Sequence, residues 1–258
     1  MQYGIVVSPA DYVRAQQSGY NYLELAGRAV ASMDEAAFEA MRAQVSLGSI
    51  PCRCLNAYCP PQVVVAGENF DADVARAYAQ RLAPRAEALG VRVVSVGSPL
   101  SRRLPEGFDR ALAWRQAARF FRESARVFAP YGITVCVEAL GPCYCNFINR
   151  LDEAYRLVRE ISEPNLKIVL DFYNMEHIGE ADVSLIGYAQ EIGHAHISDD
   201  AGGPRQRSYL KTEKFALHAR RLLALRAAGY RGRVSLEIDV PYNMREAAQS
   251  LDMLRGME

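Results

Sequence analysis

Four ionisable residues stand at or near the ends of four successive apolar segments of the chain. Glu138, Asp171 and Glu237 each end a short apolar run, and His196 lies in the segment between the last two. Carboxylates at the ends of apolar segments are costly to bury unless they are paired or bound to a metal ion. Three carboxylates and one imidazole suit Mn²⁺, Mg²⁺ or Co²⁺, and suit Zn²⁺ less well. The pattern predicts a metal site, provided that the fold brings the four residues together.

Each of these residues also has an ordinary structural explanation. A single Glu or Asp that ends a strand is commonly a helix cap or a salt-bridge partner. His194 and His196 project to the same side of a strand because side chains alternate, so one of the two can be a core histidine. The coincidence of four successive segments favours the metal interpretation.

Strand-like and helix-like segments alternate along the chain and must position these residues. The eight strand candidates are short and mostly apolar, and they span residues 4–8, 20–25, 51–56, 91–96, 134–138, 167–171, 193–198 and 233–238. Six helical patterns lie among them, at residues 34–45, 71–89, 109–128, 151–161, 214–228 and 245–254. Alternation of this kind implies a parallel sheet.

Eight such units predict an α/β protein with a (β/α)₈ TIM barrel, formed by residues 1–258 as a single domain. Active sites of these barrels lie at the carboxyl ends of the strands, where the four candidate ligands stand. An open doubly wound sheet is the alternative. It lacks its usual signature here, since no G-x-G-x-x-G follows the first strand candidate.

The composition is that of a globular protein with balanced charge. Half of the 258 residues are hydrophobic, and 30 Lys and Arg balance 30 Asp and Glu. This balance gives no electrostatic reason to expect nucleic acid or an anionic membrane as a partner. No apolar run approaches the roughly 20 residues that span a bilayer, and residues 1–7 do not resemble a signal peptide. We therefore expect a cytoplasmic protein.

The six cysteines form two C-x-C pairs and two isolated positions: Cys52, Cys54, Cys59, Cys136, Cys143 and Cys145. Zinc ribbons use C-x-x-C spacing instead. We expect free thiols that act as small apolar residues in and beside buried strands. A structural zinc site is the alternative.

Five segments resemble the xylose isomerase-like family of sugar isomerases and epimerases. They are VGSP at 96–99 with RRLPEGF at 102–108, VEAL at 137–140, CNFIN at 145–149, LDFYNM at 170–175 and HAHISD at 194–199, with Glu237 downstream. The resemblance extends from about residue 4 to residue 254. It is closest to the branch of ketose 3-epimerases, inosose isomerases and hydroxypyruvate isomerases.

The resemblance implies one divalent metal ion, most often Mn²⁺, with Mg²⁺, Co²⁺ and Zn²⁺ as alternatives. Its ligands would be Glu138, Asp171, His196 and Glu237. The ion would act as a Lewis acid that stabilises a cis-enediolate, while Glu138 and Glu237 would be the catalytic residues that move the proton. The implied activity is isomerisation or epimerisation of a small sugar, ketose or inosose.

Further residues are predicted to contact a small sugar or polyol substrate: Glu24, Trp114, Asn174, His194, Arg205 and Arg207. The two arginines can instead be solvated, Trp114 can be a core anchor, and Glu24 can form a salt bridge at the barrel mouth. His177 and His218 are expected to be incidental. By analogy with relatives, we expect a homo-oligomer, either a dimer or a tetramer.

One departure from the family pattern keeps a second function open. Relatives often carry D-x-x-H on strand six, whereas this chain has Asp171 and Asn174 in those places. An amide cannot act as a general acid. This supports, as the alternative, a metal-dependent lyase or dehydratase acting on a cyclic polyol or keto sugar.

Two other functions remain as weaker hypotheses. A DNA-repair endonuclease of the same superfamily would use three zinc ions and many histidines, but this chain has four histidines and no excess of positive charge. A non-catalytic sugar-binding barrel would need a metal site without turnover, although both candidate proton-transfer glutamates are present.

Overall fold

Eight parallel strands close into a barrel in the computed structural model, which describes residues 1–203 and 205–257. Each strand pairs with its neighbours in sequence, and the last pairs with the first. The strands are β1 (Gln2–Val6), β2 (Tyr22–Ala26), β3 (Cys52–Asn56), β4 (Val93–Val96), β5 (Thr134–Glu138), β6 (Leu166–Asp171), β7 (Ile192–Ile197) and β8 (Arg233–Leu236). The predicted (β/α)₈ fold is confirmed, and all eight predicted strands are present.

Nine α-helices occur among the described residues. They are α1 (Tyr12–Ala15), α2 (Gly27–Ser32), α3 (Glu35–Leu47), α4 (Ala72–Ala88), α5 (Arg110–Phe128), α6 (Leu151–Ile161), α7 (Phe172–His177), α8 (Phe215–Ala227) and α9 (Met244–Gly256). The six predicted helices are α3, α4, α5, α6, α8 and α9, each within two residues of the predicted bounds. The other three have four to six residues, which is too short for a periodic pattern to identify a helix.

The starts of four long helices are fixed by side-chain caps. The carboxylates of Asp34, Asp71 and Asp109 accept backbone N–H groups at the starts of α3, α4 and α5, and Asn243 does the same for α9. These caps satisfy N–H groups that have no partner within the helix. They define where each helix leaves the loop that precedes it.

The barrel interior is apolar at one level and polar at the next. The apolar level is a separate buried cluster of Tyr22, Cys54, Val93, Cys136 and Val169. The residues two positions further along these strands lie on the same side, and they are Glu24, Asn56, Ser95, Glu138 and Asp171. The sequence therefore places polar groups directly above an apolar layer, toward the carboxyl ends of the strands.

Gly4 on β1 makes room for this packing. A Cβ atom at Gly4 would lie 2.2 Å from the ring of Tyr22, closer than non-bonded carbon atoms approach each other. The ring of Tyr22 can therefore fill the barrel interior because β1 carries no side chain there.

The described residues, which include all six cysteines, contain no disulfide bond, and five of the cysteines are buried. Neither of the two clusters of potential metal ligands found among the described residues contains cysteine. No helix in the described part of the chain is both long enough and apolar enough to cross a membrane.

Candidate functional site

Glu138, Asp171, His196 and Glu237 lie together at the carboxyl ends of β5 to β8. Each offers one ligand atom, and these atoms all lie within 4.8 Å of one another. Glu138, Asp171 and His196 are buried, and the side chain of Glu237 is 15% exposed. The structure thus brings together the four residues predicted as ligands.

His196 and Glu237 face each other within this cluster. His196 Nδ1 lies 3.4 Å from Glu237 Oε2, and among the described residues neither atom has a hydrogen-bond partner of good geometry. The other oxygen of Glu237 accepts a hydrogen bond from Asn56 Nδ2 at 3.0 Å. Three carboxylates and one imidazole, with one ligand atom from each within 4.8 Å of the others, are a donor set that fits a divalent metal ion.

Asp171 is held by four hydrogen bonds. Its Oδ1 accepts the backbone N–H groups of Tyr173 (2.8 Å) and Asn174 (3.2 Å), so it caps α7. Its Oδ2 accepts from Asn174 Nδ2 at 2.8 Å and from Arg207 Nη2 at 2.5 Å. Burial alone would raise the pKa of Asp171, but the charges of Arg207 and His196 outweigh it and lower this pKa.

Asn174 lies between two of the carboxylates. Its Nδ2 also contacts Glu138 Oε1 at 3.2 Å, and its Oδ1 accepts the backbone N–H of Gly141 at 3.1 Å. The residue is 1% exposed. We expected Asn174 to contact substrate, but its amide is engaged with the protein, where it positions Glu138 and Asp171.

Arg207 reaches into the carboxylate cluster from the loop after β7. Besides Asp171, its guanidinium lies 3.1 Å from Glu237 Oε2 and 3.9 Å from Glu138 Oε1. It packs over the rings of Tyr144 and Tyr173, at 5.1 and 4.9 Å from their centroids. Arg207 is therefore a buried part of the site and not a solvated surface residue.

Arg205 has a different environment. Its side chain is exposed and lies over the ring of Tyr144, 5.6 Å from the centroid. Among the described residues it pairs with no carboxylate. The structure places Arg205 at the rim of the site.

Glu24 lies beneath the cluster and not at the barrel mouth. Its two oxygens contact His194 Nε2 at 3.0 Å and His196 Nε2 at 3.1 Å, and Ser235 Oγ donates to it at 2.5 Å. Glu24 and both histidines are completely buried. The expectation that Glu24 and His194 contact substrate is not supported by this placement, since they form a support layer below the site.

This layer also forms a second group of potential ligands, Glu24, His194 and His196. The two groups share His196, which turns Nε2 toward Glu24 and Nδ1 toward Glu237. The three donors leave neither oxygen of this buried carboxylate without a hydrogen-bond partner. We therefore interpret this lower group as hydrogen-bonded support for the upper one.

Trp114 lies away from the cluster. Its Nε1 donates to Glu160 at 2.6 Å, and Arg156 stacks on its ring at 4.1 Å from the centroid. These partners belong to α6, so Trp114 lies in the outer helical layer. The alternative explanation, a packing residue, agrees with this placement.

Two residues of the segment after β4 support Glu138. Arg102 is fully buried, and its Nη2 donates to the backbone carbonyl of Glu138 at 2.6 Å. A Cβ atom at Gly97 would lie 2.6 Å from Glu138 Oε2. Gly97 therefore leaves the space that this carboxylate occupies.

The electrostatics of the cluster favour a cation. Burial, followed by the charges of Glu237 and Asp171, raises the pKa of Glu138 well above its usual value. Burial also raises the pKa of Glu237. Burial alone would lower the pKa of His196, but Glu24 and Glu237 raise it to about 10. Carboxylates that resist ionisation beside each other are stabilised when positive charge is bound between them.

A cavity of about 560 Å³ opens beside Glu237. Its lining includes Ser8, Arg28, Asn56 and Asp239, which lie at or just after the carboxyl ends of the strands. This volume lies within the roughly 300–1,000 Å³ typical of small-molecule sites. The polar lining suits a ligand rich in hydroxyl groups.

Sequence reasoning missed several residues of the site: Tyr22, Asn56, Arg102, Tyr144, Ser235 and His218. Asn56 ends a predicted strand, so the criterion that identified Glu138 also applies to it. His218 bonds Asp199 Oδ2 at 3.0 Å and secures the start of the loop that carries Arg207. Nothing in the local sequence signals that contact, because it joins distant elements.

Solved structures share this fold over nearly the whole chain. D-allulose 3-epimerase from Methylomonas sp. is 17% identical, with a TM-score of 0.82 and coverage of 100% of this chain and 97% of that one. The 3-keto-D-glucoside 4-epimerase YcjR from E. coli is 19% identical, with a TM-score of 0.76 and 99% coverage of both chains. The IOLI protein, solved with a bound zinc atom, is 16% identical, with a TM-score of 0.71 and coverage of 100% and 96%.

At these identities the similarity shows the fold alone. A comparison with curated proteins finds no match. The sequence model described as xylose isomerase-like TIM barrel, however, matches residues 13–257. The chain belongs to the xylose isomerase-like TIM-barrel family.

Proposed function

We propose that this chain is a divalent-metal-dependent isomerase or epimerase of a small sugar, ketose or inosose. The observation that carries the proposal is the convergence of Glu138, Asp171, His196 and Glu237 at the carboxyl ends of four adjacent strands. Membership of the xylose isomerase-like family supports it, and so does the structural similarity to sugar epimerases.

The same four residues would hold the metal ion. When bound, a divalent ion supplies Lewis-acid polarisation of a substrate carbonyl. Mn²⁺ is our first choice, because three carboxylate oxygens and one imidazole suit it well. The structurally similar IOLI protein was solved with a bound zinc atom, which supports a divalent ion in this site.

The protein's own groups would position the sugar. The cavity beside Glu237 offers Asn56, Asp239 and Arg28 as partners for hydroxyl groups. Arg207 lies at the boundary between the cluster and Asp239, with Nη1 4.0 Å from Asp239 Oδ2. A small polyhydroxylated substrate can therefore meet hydrogen-bonding groups on the side away from the buried carboxylates.

Glu138 and Glu237 would transfer the proton. One carboxylate takes a proton from the carbon next to the carbonyl, and the other returns a proton to the adjacent carbon or to the opposite face of the same carbon. Asn174 and Arg102 hold Glu138, and Asn56 holds Glu237. Both carboxylates are thus fixed by neighbouring groups before substrate arrives.

The test is exchange of solvent deuterium into a panel of ketoses and inososes. We expect Glu138→Gln and Glu237→Gln each to lower the exchange rate by about 100-fold or more, the usual contribution of a positioned acid or base. Glu163→Gln is the matched control, because Glu163 pairs with Arg126 on the outer surface. If either site variant stays folded and metal-loaded with full activity, the proton-transfer assignment is wrong.

Product mass separates this function from the alternative lyase or dehydratase. Isomerisation and epimerisation conserve the mass of the substrate, whereas dehydration removes one water. The alternative rests on Asn174, which follows β6 in α7 and cannot supply an acidic proton. Loss of water from a cyclic polyol or keto sugar would favour it.

A further inference from the structure

The guanidinium of Arg207 contacts the same carboxylates that would bind the metal ion. Its Nη2 lies 2.5 Å from Asp171 Oδ2, and its Nε lies 3.1 Å from Glu237 Oε2. The residue is only 5% exposed. A fixed positive charge therefore already lies among the candidate ligands.

Asp171 has no acceptor position left for a further partner. A carboxylate offers about four lone-pair sites, and Asp171 accepts four N–H groups. Two of these donors are backbone groups of α7. The third belongs to Asn174, whose amide is also held by Gly141 and Glu138. The fourth donor is Arg207, on the loop after β7. A rotation of the Arg207 side chain can move this donor away from Asp171.

We infer that Arg207 and the divalent cation are alternative partners of Asp171, so that Arg207 sets the affinity of the site for the cation. This inference rests on the metal site of the proposed function. It adds that cation binding displaces a guanidinium, and that the free energy of breaking this buried ion pair opposes binding.

The backbone of Arg207 confines the movement to its side chain. Its N–H donates to Asp239 Oδ2 at 3.1 Å, and its carbonyl accepts the N–H of Asp239 at 2.9 Å. Outside the group of candidate metal ligands, the carboxylate that pairs with the guanidinium is Asp239, at 4.0 Å. Asp239 is 45% exposed and lines the cavity. Cation binding would thus turn the guanidinium toward the space where substrate oxygen atoms would lie.

Mn²⁺ affinity tests the inference without any assay of activity. Protein stripped of metal with a chelator is titrated with Mn²⁺, and free Mn²⁺ is measured by electron paramagnetic resonance at fixed pH and salt. We expect Arg207→Ala to bind Mn²⁺ about 10-fold or more tightly than wild type, because one charge-assisted hydrogen bond no longer competes. Arg205→Ala removes a charge from the same loop without touching a carboxylate, and its affinity should change by less than about twofold.

Thermal unfolding supplies the second measurement. In chelator, Arg207→Ala should unfold at a lower temperature than wild type, because its carboxylates lose their cation. In saturating Mn²⁺ the unfolding temperatures of the variant and of wild type should lie closer together. If Arg207→Ala does not fold, Arg207→Met keeps an apolar stem between the two tyrosines and removes the guanidinium, and the same result is expected.

The outcomes separate the inference from the function on which it rests. Equal or weaker Mn²⁺ binding by the Arg207 variants, with tight binding by wild type, would overturn the inference alone. If neither wild type nor the variants bind Mn²⁺, both the inference and the metal part of the proposed function are wrong.

Discussion

A carboxylate as deeply buried as that of Glu24 needs several donors, and two imidazoles and one hydroxyl provide them. Tyr22 Oη lies 2.8 Å from Ser235 Oγ, which donates to Glu24. With Glu24 ionised, the proton of His196 that faces it must lie on Nε2. Nδ1, which faces Glu237, is then the ring nitrogen at which a metal ion would replace a proton. Glu24 therefore orients the imidazole of His196, a candidate metal ligand, without itself being one of the four candidate ligands.

Replacing Glu24 by Gln tests this orienting role. Each oxygen of Glu24 faces a different imidazole, and Gln replaces one of these oxygens with an NH₂ donor. At least one histidine must then change its tautomer or lose its partner. We expect Mn²⁺ affinity to fall about 10- to 100-fold, as for other changes behind a metal ligand. Nitrogen chemical shifts of the imidazoles should report the tautomer change directly. Unaltered shifts and affinity would show that Glu24 has only a packing role.

Gly97→Ala tests the space beside Glu138. The added Cβ would lie 2.6 Å from Glu138 Oε2 and must displace that carboxylate. We expect metal affinity to fall about 10-fold, the low end for disturbing the shell around a metal site. Gly187→Ala is the control, since a Cβ there meets nothing within 4 Å. Equal metal affinity in the two variants would argue against a role for Gly97.

The four candidate ligands could be proposed from the sequence because each lies at or near the carboxyl end of its strand, and the family resemblance favoured His196 over His194. The sequence did not identify how Glu24, Asn174 and Arg207 are used. The same residue type at a strand end can face substrate, a metal ion or a neighbouring side chain. That choice depends on contacts between strands that are far apart in sequence, such as Glu24 with His194.

At the scale of elements, the loop after β7 is secured at both ends. Asp199 accepts from the backbone N–H of Lys211 at 2.7 Å and bonds His218 on α8. Residues 199–200 and 207–208 form a short antiparallel ladder. The loop thus presents Arg207 from a fixed base.

Replacing His218 by Ala should loosen this base. Burial alone would raise the pKa of Asp199, but His218 lowers it. The variant leaves a buried, ionised carboxylate with one partner fewer, at a cost of about 1–3 kcal/mol. Urea unfolding measures the loss, with His177→Ala, an exposed histidine on α7, as the control. If both variants unfold at the same urea concentration, His218 is not an anchor of the loop.

Long elements were predictable from sequence and short ones were not. The eleven residues of α6 repeat their apolar positions through three turns, and the predicted bounds match the observed ones. The helix α7 has six residues and directly follows Asp171. It exists because Asp171 caps it, and a single cap without a periodic pattern does not identify a helix.

At the scale of the whole molecule, barrel closure seals a thiol-containing interior. Burial, followed by the charge of Glu24, raises the pKa of Cys52 to about 12 and that of Cys54 well above its usual value. Both thiols are therefore neutral at pH 8, whereas an unfolded thiol ionises near pH 9.

Thiol labelling tests this closure. At pH 8 the native protein should react rapidly at Cys143, the partly exposed cysteine, and slowly at the five buried ones. In denaturant all six should react. Above about pH 9 the unfolded state loses more protons than the folded state, so the free energy of unfolding should fall as pH rises. Rapid labelling of Cys52 and Cys54 in the native protein at pH 8 would contradict the claim that the barrel interior is closed to solvent.

The proposed function depends on metal-assisted proton transfer at the carboxyl ends of β5 to β8. It is tested most directly by metal analysis of protein purified without added metal, together with deuterium incorporation from D₂O into ketoses and inososes. We predict about one divalent ion per chain and deuterium at a carbon next to the substrate carbonyl. No bound metal and no exchange would contradict the four-ligand site and the proposed function together.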